Sequence, residues 1–338
     1  MLTDAVRRRI EVLNRQSLGT PEKKVARRPI RDVKNIDDTT HIARPGSGWL
    51  SIAQRVCNAA GEHLRIQTPL EQLWRAAPEH LRIAQRQKDQ VLRRTRQRRY
   101  PELAAFLQSF PSGALFLDLE TCGFAGSPIF LIGLLRQVSG IWQVDLLLAR
   151  SYAEERAILA TLWQVAAEHQ VLVTFNGKSF DWPMVHDRST LHHLGCPRQK
   201  RTDPKRTDQT RPTPSNRPNM PANNGFPNDQ HEPDGTPSET RNLGRDDPRP
   251  ELIHFDLLHH ARRHWKRQLP NCRLQTLEWY ICGRRRDGDI PGSQIPATYH
   301  HYVRTGQTRD MESVLHHNVV DLITLLELSL RISLGKRN

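Results

Sequence analysis

Apolar positions recur along this chain with two periods, and the switches between them predict its elements. From Ala114, ALFLDLE is a short apolar run ending in acids; PIFLIGLLR and IWQVDLLLA follow, separated by a turn at Ser139-Gly140. These three runs predict strands in an antiparallel meander. Over 153–169 the spacing becomes helical, with Ile158, Leu159, Leu162, Trp163, Val165 and Ala166 apolar. VLVTF (171–175) reads as a buried strand and 180–194 as a helix. The order β-β-β-α-β-α is a mixed-sheet α/β signature rather than a pure βαβ repeat. Apolar positions resume at Leu252 in LIHFDLLHHARRHW, and helices are expected near 273–282, 296–305 and 310–333.

Two stretches interrupt this pattern. Residues 1–45 are polar and basic with little periodicity and read as a disordered arm. Residues 198–250 are rich in Pro, Asn, Asp, Thr and Arg and nearly devoid of apolar side chains, so they read as a disordered polar insertion. Between arm and strands, 46–110 reads as a small basic extension, mostly helical. Apolar residues return from Trp49 to Trp74, and a helix is expected over 80–108. The expected organisation is therefore arm, extension, and a discontinuous α/β domain over 111–197 and 251–338.

Composition narrows the class. Five cysteines without a CxxC pair argue against a disulfide framework and a zinc site. No apolar run approaches the roughly 18 residues of a membrane-spanning helix. MLTDAVRRRIEVLNRQ lacks the apolar core of a signal peptide, so a cytoplasmic protein is expected. The net charge of +14 points to a polyanionic partner, nucleic acid first. That charge is uneven: residues 1–100 hold 22 Lys/Arg against 10 Asp/Glu, and 101–338 hold 28 against 26.

Three acidic motifs carry candidate chemistry. Asp118 and Glu120 close the first strand, and their i, i+2 spacing puts both carboxylates on one face. Two such acids suit a hard divalent cation, although D-x-E at a strand end is more often a solvated loop edge. In VTFNGKSFDWP, Asn-Gly makes a turn and Asp181 sits in the first turn of the next helix, where it also serves as an ordinary helix-terminal acid. In HHNVVDLITLL, Asp321 neighbours an apolar face, where burial is costly unless the acid is paired or metal-bound. His317 lies one helical turn before it on the same side; His316, five before, points away.

The ordered set D-x-E, N-x4-D and H-x3-D resembles the DEDD-type exonucleases of the ribonuclease H-like superfamily. The resemblance is closer to the YprB-type branch, through LFLDLETCGFAGSPIFLIGLL, VTFNGKSFDWPMV, HFDLLHHARRHWKRQLPNCRLQTLE, DIPGSQIP and HHNVVDLITL. It implies a mixed five-stranded sheet flanked by helices and phosphodiester hydrolysis, most specifically by a 3′→5′ exonuclease acting on DNA or RNA. It further implies two Mg²⁺ or Mn²⁺ ions on Asp118, Glu120, Asp181 and Asp321. His317 or His316 would orient or deprotonate the attacking water, the two offsets matching different branches. Asn176 and Lys178, in the turn before Asp181, are the expected substrate contacts. Arg262, Arg263, Lys266, Arg267 and the run Arg284–Arg286 are equally readable as a path for the strand or as solvated arginines. Two other readings stand beside this one. The first is a non-catalytic nucleic-acid-binding adaptor using the basic front segment. The second, an actin-like phosphotransferase, lacks a glycine-rich phosphate loop after the first strand. Cys122 reads as a semi-buried thiol rather than a nucleophile, and Cys272 and Cys282 as packing residues.

Overall fold

The computed structural model describes residues 40–94, 100–124, 126–194, 252–286 and 288–334. Most of the expected N-terminal arm and the whole insertion over 198–250 lie outside the described residues. Seven strands form one mixed sheet: β1 (Gln54–Asn58), β2 (Gly61–Pro69), β3 (Ala114–Thr121), β4 (Ile129–Val138), β5 (Ile141–Leu148), β6 (Val171–Thr174) and β7 (Ile253–Asp256). Their order is β1-β2-β5-β4-β3-β6-β7. The meander β3–β4–β5 is antiparallel, while β6 and β7 continue it in parallel with β3.

The sheet has two strands more than expected. The addition is the antiparallel pair β1–β2, from the extension read as mostly helical. At the sheet edge β1 has little to bury, so its apolar pattern is faint. The pair is anchored electrostatically: β2 docks on β5, where Arg65 reaches the fully buried Asp145 at 2.5 Å. Arg136 of β4 approaches the same carboxylate at 3.4 Å.

Helix α1 (Ala77–Arg94) and α2 (Pro101–Ser109) replace the single helix expected over 80–108. Pro101 opens the second, and Tyr100 before it lies outside the helical region at φ −143° and ψ 86°, as a residue preceding proline does. The longer helices that follow are α3 (Glu155–Ala166), α4 (Asp181–Leu191), α5 (Leu257–Trp265), α6 (Ile295–Thr305) and α7 (Arg309–Leu334). The helix expected near 273–282 is a short turn at Leu274–Leu277 followed by a π-helical one at Glu278–Cys282. No helix among the described residues is long and apolar enough to cross a membrane.

Period-two alternation in β3 decides where the acids go. Leu115, Leu117 and Leu119 enter the core beneath α3 and α4, with Ile158, Leu162, Trp163 and Val185. Ala114 and Phe116 enter the opposite core, with Val319, Leu322 and Leu326 of α7. Asp118 and Glu120 continue the second series and therefore face α7. That helix is buried over most of its circumference, as expected of one apolar on all sides. Its polar residues His317, Asn318, Asp321, Thr324 and Glu327 are consequently buried too.

Candidate active site

On α7, His317 and Asp321 are one turn apart, with Nε2 3.4 Å from a carboxylate oxygen of Asp321. Glu120 comes to them from β3. Each of the three offers a ligand atom, all within 4.8 Å of one another. Asp118 lies on the same strand face, and Asp181 opens α4 after β6. These two are not part of the compact three-residue group, but their charges reach it.

The acids raise one another. Burial pushes Asp118 well above the usual carboxylate range, and Asp321, Glu120 and Asp181 add to the rise. Burial likewise lifts Glu120 to about 8, with His317 pulling it down while Asp321 and Asp181 push it up. Asp181 reaches about 7 through burial and the charges of Asp256 and Asp321. A group of carboxylates that disfavours its own ionisation is short of positive charge.

Arg286 supplies part of that charge. Its guanidinium contacts Asp321 directly, lies 2.5 Å from Glu278 and reaches Asp289 at 3.2 Å. Burial alone would lower its pKa; Asp321 and Glu278 raise it instead. His317 Nδ1 lies 2.9 Å from both carboxylate oxygens of Asp289. Burial would depress this histidine, but the bond to Asp289 and the charges of Asp321 and Glu120 raise it to about 9. His316 faces elsewhere, its ring 6.3 Å from that of Trp49, and burial lowers it to about 4.

Asn176 and Lys178 occupy the turn between β6 and α4, with Asn176 in the left-handed region at φ 66°. Their backbone N–H groups donate to the Asp256 carboxylate at 2.8 and 3.1 Å. Both side chains are exposed, and neither bonds to the four acids. Arg284 and Arg286 are turned into the protein rather than solvated, while Arg285 between them is exposed. Arg284 turns inward, donating to Thr324 at 3.0 Å and Glu327 at 2.9 Å, because buried acids on α7 and at Glu278 require cations. Arg262, Lys266 and Arg267 are exposed, and Arg263 lies 4.6 Å over the Tyr100 ring. Burial pushes the Cys122 thiol up to about 12, which suppresses the thiolate a nucleophile needs.

The family model described as the RNase_H superfamily matches residues 115–210 and 237–332, more than half of the chain. This chain belongs to that superfamily. An uncharacterised protein, YprB of Bacillus subtilis (strain 168), is 29% identical over 221 residues, which is 64% of this chain and 41% of that protein. The chain thus matches less than half of that relative's length.

Several residues of this RNase_H superfamily site have no period in the sequence to announce them. Asp289 lies in DIPGSQIP and Asp256 in HFDLLHH, segments that carried the resemblance without an assigned role. Asn318 adjoins His317; its Nδ2 donates to the Asp118 carboxylate at 2.8 Å. Glu278, buried in a π-helical turn, anchors Arg286.

Proposed function

We propose that this protein is a metal-dependent nuclease that hydrolyses phosphodiester bonds of DNA or RNA, and specifically a 3′→5′ exonuclease. The observation that carries this reading is the convergence of Glu120, His317 and Asp321 within 4.8 Å, with Asp118 and Asp181 raising the same electrostatic demand. The donor set fits Mg²⁺ or Mn²⁺: carboxylate oxygens, one imidazole, and no thiolate. Asp118, Glu120, Asp181 and Asp321 would hold the ions, two on this reading. Bound there, they would supply Lewis-acid stabilisation of the charge that develops on the phosphate.

The residues themselves do the rest. The acids face into a site walled by α7, where buried carboxylates stay fixed in direction. His317 turns Nε2 toward the acids and would take the proton of the attacking water. Its pKa of about 9 is set by the surrounding carboxylates, and neutralising them moves it toward the range of a general base. Lys178, exposed two residues after Asn176, would contact the backbone of the substrate strand.

The test is digestion of end-labelled DNA and RNA, single-stranded and 3′-recessed, with Mg²⁺ or Mn²⁺. Shortening from the 3′ end is expected, and Asp118→Ala should abolish it while circular dichroism and the melting profile stay close to the parent. Undiminished cleavage in that variant overturns the site. Internal fragments at early times overturn exonucleolytic action, and salt-steep binding without cleavage in either metal favours a binding adaptor instead.

A further inference from the structure

We propose that Asp289 is a positioning residue that fixes the ring of His317 so that Nε2, and not Nδ1, faces Glu120 and Asp321; the proposal rests on the nuclease reading of the same site. The geometry is specific. His317 Nδ1 lies 2.9 Å from each oxygen of Asp289, and Nε2 lies on the opposite side, 3.4 Å from Asp321. An ionised carboxylate only accepts, so the hydrogen of this contact sits on Nδ1. In the neutral ring Nε2 then carries the lone pair, directed at the acids and available as a metal ligand or a proton acceptor.

The rest of the loop holds Asp289 for this task. Arg286 grips Asp289 at 3.2 Å and is itself fixed by Glu278 at 3.0 and 3.1 Å through Nε. Glu278 in turn accepts from Thr324 of α7 at 3.0 Å. The chain Thr324–Glu278–Arg286–Asp289–His317 therefore starts and ends on one helix, a closed circuit around the imidazole. His317 is buried, so without Asp289 its Nδ1 would lose its partner where water has little access. A ring free to rotate about χ2 would present either nitrogen to the site. Arg286, which touches both Asp289 and Asp321, sets the spacing between the orienting carboxylate and the candidate ligand.

The experiment uses the full chain with ¹⁵N-labelled histidine. In long-range ¹H–¹⁵N spectra, the wild type should show a protected Nδ1–H signal assigned by its loss in His317→Gln. Asp289→Ala should lose that protection while the fold is retained. Mn²⁺ titration followed by electron paramagnetic resonance should show affinity weakened by about 10- to 100-fold. In kinetics kcat should fall by about the same factor with KM little changed. The double variant Asp289→Ala/His317→Gln should be no slower than His317→Gln alone. Should Asp289→Ala fail to fold, Asp289→Leu keeps much of the volume while offering no acceptor, and it is read in the same three ways. A protected Nδ1–H that persists without the carboxylate overturns the proposal, and so do additive losses in the double variant. If wild-type protein cleaves nothing, the nuclease reading fails, and the spectra and the Mn²⁺ titration still decide the role of Asp289.

Discussion

Asp118 is aimed from behind by a single amide. Its strand partner in the β3–β4 register is Gly133, and a Cβ there would stand 1.7 Å from the Asn318 oxygen. The absence of a side chain on β4 is what lets Asn318 of α7 lie close against the sheet at Gly133 and donate to the Asp118 carboxylate at 2.8 Å. Asn318 Oδ1 itself is buried without a partner, so the amide is held for what its NH₂ does. Gly133→Ala should therefore cost about 1–3 kcal/mol, as overpacked cores do, and should lower cleavage along with stability. Adding Asn318→Ala should restore much of the stability but not the activity. Urea unfolding of the three proteins checks this, and a Gly133→Ala protein as stable as the parent refutes the packing argument.

Among the elements, α3, α4 and the start of β4 meet at one carboxylate. Glu155 begins α3 and is almost fully buried, accepting from Arg188 Nε at 2.7 Å, from His192 at 2.8 Å and from the Ile129 N–H at 2.8 Å. Burial alone would raise its pKa; Arg188, His192 and the backbone bond outweigh that and lower it. A carboxyl depressed on folding adds stability above its ordinary value near 4.5, and that stability is lost as pH falls through the folded value. Glu155→Gln leaves Arg188 without its anion and should cost about 3–5 kcal/mol at pH 7. The gap from wild type should shrink as pH is lowered below about 4.5, because protonation removes the same charge. Denaturant midpoints at pH 7, 5 and 3.5 measure it, and a gap independent of pH contradicts the assignment. At this scale the sequence is readable where an element has a period. The three central strands and the strand at 171–174 announce themselves as short apolar runs, and the helix of Asp321 through its apolar spacing. A spacing of two places Asp118 beside Glu120, and one of four places His317 beside Asp321. The strand β1 is obscured because it lies at the sheet edge and buries few side chains, and β2 because two of its three buried residues, His63 and Thr68, are polar. Arg286 and Asp289 lie in an irregular loop, where only tertiary contacts with Glu278, Asp321 and His317 define them.

For the molecule as a whole, the net charge of +14 is separated from the chemistry. Residues 101–197 hold 5 Lys/Arg against 9 Asp/Glu and contain three of the four candidate metal ligands. Residues 251–338 hold 13 against 9, yet Arg284 and Arg286 are consumed inside the protein by Glu327, Glu278 and Asp321. Counting cations from sequence therefore overstates what this half offers a polyanion. Among the described residues, the exposed cations of this half cluster most densely on and just after α5, in Arg262, Arg263, Lys266 and Arg267, with Arg273, Arg285, Arg304, Arg309 and Arg331 scattered elsewhere. Arg263 lies over the Tyr100 ring, which leaves Arg262, Lys266 and Arg267 of the α5 cluster as the three to test. That helix starts at Asp256, whose carboxylate binds the Asn176 and Lys178 amides, so it springs from the end of the sheet where the acids gather. If these three residues track a single strand, replacing all of them with alanine should reduce the salt slope of binding by about 2, at roughly 0.7 per phosphate contact. Fluorescence anisotropy with a labelled oligonucleotide, measured across a salt series in EDTA to prevent cleavage, reads that slope directly. A slope equal to wild type would remove these three residues from the interface and leave the attraction to other cations, of which residues 1–100 hold the largest excess, 22 Lys/Arg against 10 acids.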